Sequence, residues 1–284
     1  MFLLAIICSI ICCIGVPLNG IVIWLLGFQI KRNPFTVLIL NLAIADFGLL
    51  IFLAIIFIYD CIIFTQPGIP LSVIVCLASI MYINGFFLLT VISIDRCVCV
   101  LFPIWHRCSR PKRLSSAVCA FLWICSVLLQ GIPSILKYAF DYDISLSVCL
   151  IVPSVLCLPL ITASTVVLFV KICLKPKQMK RGRLLVMILI TLLCFLILTL
   201  PLHIYVFIHF SGSISWRQFH GLNNYLILGA SLNSSVNPII YYLVGRKNQA
   251  QTRESIKVIF QRVFGEGVAP ESTEKATNRV STPL

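Results

Sequence analysis

Charge is scarce in this sequence, and acid scarcest of all: 9 Asp and Glu stand against 22 Lys and Arg in 284 residues, and only 11% of the chain is charged. A soluble domain carries roughly a quarter of its residues charged, so that class is excluded. The hydrophobic share is 60% and the mean hydropathy +1.06. No hydrophilic stretch is long enough for a second folded domain, and no internal repeat supports an inverted-repeat transporter. Metal-ligand spacing is missing as well, and His106, His203, His209 and His220 form no cluster. Neither a metal nor a cofactor is therefore expected, and an enzyme is disfavoured.

Apolar runs fill the space instead. Seven lie at roughly 2–30, 35–60, 68–100, 115–136, 146–174, 183–210 and 220–244, each long enough for the ~20 residues that a helix needs to cross a bilayer. The expected fold is an all-α membrane protein, a bundle of seven transmembrane helices. Asn33-Pro34, Gln66-Pro67-Gly68, Lys175-Pro176-Lys177 and Ser211-Gly212-Ser213 mark turns between runs.

The net charge of +13 invites a nucleic-acid reading, but its distribution excludes one. Twenty of the 22 basic residues fall on alternate connections and on the tail, leaving Lys137 and Arg217 on the other side. That is the positive-inside pattern, with the N-terminus outside, the C-terminus in the cytoplasm and an odd number of crossings. The first run starts almost at Met1, with no basic segment before it, which favours signal-anchor insertion over a cleaved leader. Asn233-Ser234-Ser235 has the form of a glycosylation sequon but sits inside the seventh run. Most of the 14 cysteines lie in apolar runs and pack as small hydrophobes. Cys61, Cys76 and Cys149 fall toward the outer side; a bridge from Cys149 to either of the others, or none, is compatible with the sequence.

Past the seventh run the chain divides again. Residues 1–247 form the membrane domain, 248–264 an amphipathic eighth helix, and 265–284 a polar tail expected to be disordered. Ile256, Ile259, Phe260, Val263 and Phe264 recur on one helical face, with Arg253, Lys257 and Arg262 on others. Such a helix suits an anionic inner leaflet, which makes membrane lipid a partner.

Polar residues inside the runs are costly and hence candidates for function. Asp46 must face the interior, and Asn19, Asn233, Ser234 and Asn237 are the groups available to it. Such a cluster can be purely structural or an ion and water site coupled to activation. Asp95-Arg96-Cys97 closes the third run, where Arg96 can be held by the adjacent carboxylate and released toward backbone carbonyls of a partner entering from the cytoplasm. Pro201 and Pro238 interrupt the sixth and seventh runs, and a kinked sixth helix is a natural lever, although static kinks are common.

The order Asn19, Leu42-Ala43-Ile44-Ala45-Asp46, Asp95-Arg96-Cys97, Trp123, Pro159, Pro201, Asn237-Pro238-Ile239-Ile240-Tyr241 resembles the rhodopsin-like (class A) G-protein-coupled receptors. Arg32-Asn33-Pro34-Phe35-Thr36-Val37 and the run from Cys99 to Cys108, with Pro103-Ile104-Trp105-His106-Arg107-Cys108, resemble the Mas-related family, nearer its Mas branch than its sensory-neuron members. The resemblance implies a receptor that takes an extracellular peptide or small-molecule ligand at the plasma membrane. It implies partnership with a heterotrimeric G protein of Gq or Gi type, and with arrestin. Asp95, Arg96, Cys97, Pro201, Asn237, Pro238 and Tyr241 are the implied activation residues. For the ligand, Phe195, Thr199 and His203 would lie deep, with Tyr138, Asp141, Tyr142 and Asp143 at the rim.

Departures from the class pattern shape those expectations. Leu71 stands where a bridged cysteine is usual, Thr199 where a tryptophan is usual, and Gly85 where a sodium-site serine is usual, so little sodium dependence is expected. Pro133 and Ser147 replace acidic residues that read cationic ligands in some relatives. The seventh run has no lysine for a retinal Schiff base. Two other readings remain beside the signalling receptor: a non-signalling or heteromer-partner receptor, and, more remotely, a transporter or channel.

Overall fold

The computed structural model describes residues 2–62, 69–108, 110–111, 113–140, 146–174, 183–210, 216–246 and 255–264. Seven long helices account for the seven apolar runs in order: α1 (Phe2–Trp24), α2 (Pro34–Ile62), α3 (Ile69–Leu101), α5 (Leu114–Phe140), α6 (Leu146–Leu174), α7 (Arg183–Phe210) and α8 (Trp216–Gly245). Two short helices are added, α4 (Pro103–Cys108) between the third and fourth runs and α9 (Ile256–Phe264) after the seventh, and a π-helical segment, Leu25–Gln29, continues α1. No strand occurs among the described residues.

Six of the long helices are long and apolar enough to cross a membrane. The seventh, α8, is diluted by Ser231, Asn233, Ser234, Ser235 and Asn237, every one of them buried in the bundle. Apolar side chains such as Phe121, Ile135 and Ile197 are exposed on the outside instead, at 63%, 65% and 72%. This inside-out distribution suits a lipid solvent, in which burying another leucine gains little and packing and interhelical hydrogen bonds hold the helices.

Helix α3 is the central post, packed on α2, α5, α6 and α7, while α8 lies against α1, α2 and α7 and closes the ring. Gly15 permits the α1–α8 approach: a Cβ there would collide with Ser235. The Trp123 indole in α5 donates to Asn41 Oδ1 in α2 at 3.1 Å. The start of α2 follows directly from sequence. Asn33 Oδ1 accepts from the backbone of Phe35 (3.0 Å) and Thr36 (2.7 Å), and Thr36 Oγ1 accepts from Asn33 N at 2.8 Å. Pro34 occupies the first helical position, where its missing N–H costs nothing.

Of the amphipathic eighth helix expected over 248–264, α9 covers Ile256–Phe264, while 247–254 lie outside the described residues, as does the tail 265–284. Its stripe does not face lipid: Ile259, Phe260, Val263 and Phe264 are all buried, at 2% exposure or less, while Ile256 is exposed. The bundle covers them. Phe264 meets Phe35 (6.2 Å between centroids) and the edge of Tyr241 (5.7 Å), and Gly245 leaves room for Ile259 and Val263. Asn33 Nδ2 donates to Phe264 O at 3.0 Å and Lys257 Nζ to Gln29 Oε1 at 2.9 Å, fixing the helix at both ends. An apolar stripe needs an apolar neighbour, and the adjoining parts of α2, α7 and α8 supply it.

Candidate functional site

Three polar clusters lie along the bundle. The middle one is built on Asp46, 4% exposed. Asn237 Nδ2 donates to Asp46 Oδ2 at 2.8 Å, and the Ser234 hydroxyl also bonds the carboxylate. Asn19 is turned elsewhere: its amide donates to Gly15 O and Ser234 O, both at 3.0 Å, tying α1 to α8. Asn233 is buried on the same helix. Across the gap Gly85 presents no side chain, and a Cβ there would stop 4.0 Å from Asp46 Oδ1. Helices α2 and α8 are thus joined through one carboxylate, the arrangement that makes an intramembrane charge tolerable.

Toward the C-terminal end of α3 the second cluster forms on Asp95. Arg96 Nη2 donates to Asp95 Oδ2 at 2.7 Å, and the guanidinium also lies 3.9 Å above the Phe35 ring. Arg96 is 5% exposed, and its Nε has no hydrogen-bond partner. Asp95 Oδ1 is taken by a second guanidinium, that of Arg110, at 2.7 Å. Cys97 Sγ donates to Ser164 O at 3.3 Å, linking α3 to α6. Between the clusters runs a narrow gap lined by Leu42, Leu89, Ile92, Ile188, Leu192 and Tyr241. The lining is apolar except for Thr191 and for Tyr241, one turn beyond Asn237.

The third cluster centres on His203, one turn or less past Pro201 in α7 and 2% exposed. Its Nδ1 is 2.7 Å from Ser154 Oγ in α6, its Nε2 3.4 Å from the Tyr82 hydroxyl in α3, and its ring stacks on Phe86 at 4.7 Å. Phe195 and Thr199, on the turns before, are each 1% exposed. Phe195 packs on Phe86 at 5.3 Å, and the Thr199 hydroxyl donates back to Phe195 O at 2.7 Å. All three deep ligand candidates are therefore buried, packed side chains; Phe195 and His203 join α7 to α3, and Thr199 bonds within α7. The rim candidates Asp141, Tyr142 and Asp143, and the side chain of Tyr138, lie outside the described residues.

Among the described residues no group of His, Cys, Asp and Glu could hold a metal. Cys76 is a free thiol, 3.2 Å from Ser134 Oγ, which removes the Cys76–Cys149 pairing; the side chains of Cys61 and Cys149 lie outside the described residues. Arg110, Phe35, Tyr82 and Ser154 escape a reading of the sequence, because each is an ordinary residue whose role arises only from what the fold sets beside it.

A seven-helix bundle with these motifs at these depths defines a membrane receptor of the seven-helix class, and the family model "7 transmembrane receptor (rhodopsin family)" matches residues 18–241. Over 279 residues the chain is 35% identical to proto-oncogene Mas of Rattus norvegicus, covering 94% of this chain and 85% of that one. It is 35% identical to Mas-related G-protein coupled receptor member D of Macaca fascicularis over 280 residues (94% and 86%). To member X1 of Homo sapiens it is 34% identical over 280 residues (92% and 83%). The chain belongs to the Mas-related G-protein-coupled receptors of the rhodopsin family: a multi-pass membrane receptor, not an enzyme.

Proposed function

We propose that this receptor binds an extracellular peptide or small amphipathic molecule and drives nucleotide exchange on a heterotrimeric G protein of Gq or Gi type. It sits in the plasma membrane with its N-terminus outside and its C-terminus in the cytoplasm, as the placing of its basic residues supports. One observation carries the reading. Among the described residues, Arg96 is buried and held by its neighbour Asp95 and the face of Phe35, with its Nε unsatisfied. No Asp or Glu occurs between 144 and 253, so no carboxylate on α6, α7 or α8 can lock it. A guanidinium held so locally can turn to a partner's carbonyls once α7, which carries Pro201 within it, swings away.

In this reading Asp95, Arg96 and Cys97 form the coupling end, and Asn237, Pro238 and Tyr241 relay movement from the polar layer of Asp46, Asn19, Asn233 and Ser234. His203, Phe195 and Thr199 form the packed floor beneath the ligand. Tyr138, Asp141, Tyr142 and Asp143 form a rim whose exposed charges add little affinity each. Arrestin competes for the same cytoplasmic face. The exposed side of α9, with Lys257 and Val258, rests on the inner leaflet. Residues 1–247 are the receptor domain and 265–284 an appended tail.

The test is uptake of GTPγS by purified Gq and Gi heterotrimers on membranes carrying the receptor. Wild type should accelerate uptake by one of them, and Arg96→Ala, at matched surface amount, should not. Full exchange by Arg96→Ala would overturn the role given to it, and no exchange by wild type would favour a non-signalling partner receptor.

A further inference from the structure

We propose that Phe35 is a positioning residue for coupling: the face of its ring holds the Arg96 guanidinium at rest. The inference rests on the reading that Arg96 engages the G protein. Arg96 Cζ lies 3.9 Å above the centre of the Phe35 ring, and both residues are only 5% exposed. The guanidinium stacked there has an Nε without a hydrogen-bond partner among the described residues. The ring itself is fixed from two directions. The Phe35 backbone N–H donates to Asn33 Oδ1 at 3.0 Å, the cap that starts α2. Phe264 of α9 packs on the ring with centroids 6.2 Å apart, and the same Asn33 donates through Nδ2 to Phe264 O at 3.0 Å. Three elements, α2, α3 and α9, thus meet at one cation.

An aromatic ring carries negative charge density on its faces and attracts a cation placed there, most strongly where water is excluded. A guanidinium, planar and weakly hydrated, suits such a stack better than an ammonium would. An aliphatic side chain of similar bulk would fill the same space without that attraction. Arg96 gives up the ring when it swings to a partner's carbonyls, so the stack belongs to the resting arrangement and is lost in the engaged one. An interaction made in only one of two states shifts their populations toward that state. Helices α6, α7 and α8 carry no Asp or Glu that could hold Arg96, and the ring supplies part of that hold. A residue at the start of the second helix thereby sets how much engagement occurs without ligand.

The experiment uses the full-length receptor in membranes, matched by surface labelling, with GTPγS uptake by purified Gq and Gi heterotrimers and no added ligand. Phenylalanine carrying one, two or three ring fluorines replaces Phe35 by stop-codon suppression, with phenylalanine inserted the same way as the reference. Fluorine drains charge density from the ring face while changing its bulk little. Receptor-dependent exchange should rise with each fluorine and reach about three- to tenfold with the third, the size expected when a desolvated cation loses its aromatic face. Phe35→Leu should raise exchange by a similar factor. A flat fluorine series overturns the proposal even if Phe35→Leu changes exchange, because the ring would then act through its bulk alone. Exchange that falls with fluorination overturns it as well, since the stack would then belong to the engaged state. Arg96→Ala separates the two readings: retained exchange in that variant defeats the role of Arg96 itself, whereas its loss beside a flat fluorine series defeats only the role of Phe35.

Discussion

His203 has both ring nitrogens engaged, and counting protons assigns its state. Ser154 has one hydroxyl proton and lies 2.5 Å from Leu150 O, to which it donates. It must then accept from His203 Nδ1–H, and in the neutral ring Nε2 accepts from the Tyr82 hydroxyl. The imidazole ties α3, α6 and α7 together. Replacing it by leucine leaves Tyr82 without its partner in an apolar site, at a cost of about 1–3 kcal/mol. Each kcal/mol is worth roughly 2–4 °C in a domain of 150–250 residues. His203→Leu should therefore melt several degrees lower in detergent, and adding Tyr82→Phe should recover part of the loss by removing the stranded hydroxyl. A single variant as stable as wild type, or a double variant still less stable, would refute this account. The histidine was legible in the sequence as a polar residue beside Pro201, but Tyr82 and Ser154 were not. A tyrosine and a serine in apolar helices have many uses, and only tertiary contact chooses one. Asp46 and Arg96 were conspicuous for the opposite reason, since a lone charge in an apolar run has few places to go.

Element positions were almost fully legible, because a bilayer-length apolar run admits little besides a helix. Asn33-Pro34, read as a turn, marked the place where α2 starts, and the structure shows Asn33 capping it. What could not be read was the direction in which α9 turns its stripe, since lipid and protein interior are equally apolar partners for it. The packing makes the two faces of α9 separable. Phe260, 2% exposed, and Val263, fully buried, are wedged against the bundle, whereas Val258 is 44% exposed. Phe260→Ala should cost about 3–5 kcal/mol, as truncations of large buried side chains do, and Val263→Ala somewhat less. Val258→Ala should leave the melting temperature where it is. Thermal unfolding of the three variants in one detergent checks this, and equal, negligible shifts would mean that α9 detaches from the bundle in solution.

Across the whole molecule polar and apolar layers alternate along the helix axes. The Asp46 layer and the Asp95 layer are separated by two to three turns of α3, and the apolar gap at Leu42, Leu89, Ile92 and Leu192 lies between them. In the reading proposed above, these side chains separate water or an ion at the Asp46 layer from Arg96, so coupling between the layers would run through helix movement, with Tyr241 at the boundary. Which layer faces the cytoplasm is a question of charge. Basic residues crowd the connections next to Arg96 and the chain after α8, with Lys171 and Arg183 flanking the fifth connection and Arg246 and Lys247 the seventh helix. Lys137 and Arg217 alone occupy the opposite end. Moving the crowded end across the membrane would carry most of the positive charge outward, against the bias that sets orientation during insertion. An epitope placed after Val280 should therefore bind antibody only in permeabilised cells, and one fused ahead of Met1 should bind on intact cells. Labelling of the tail without permeabilisation would reverse the orientation, expose Arg96 to the outside and remove any route from the Asp95 cluster to a G protein.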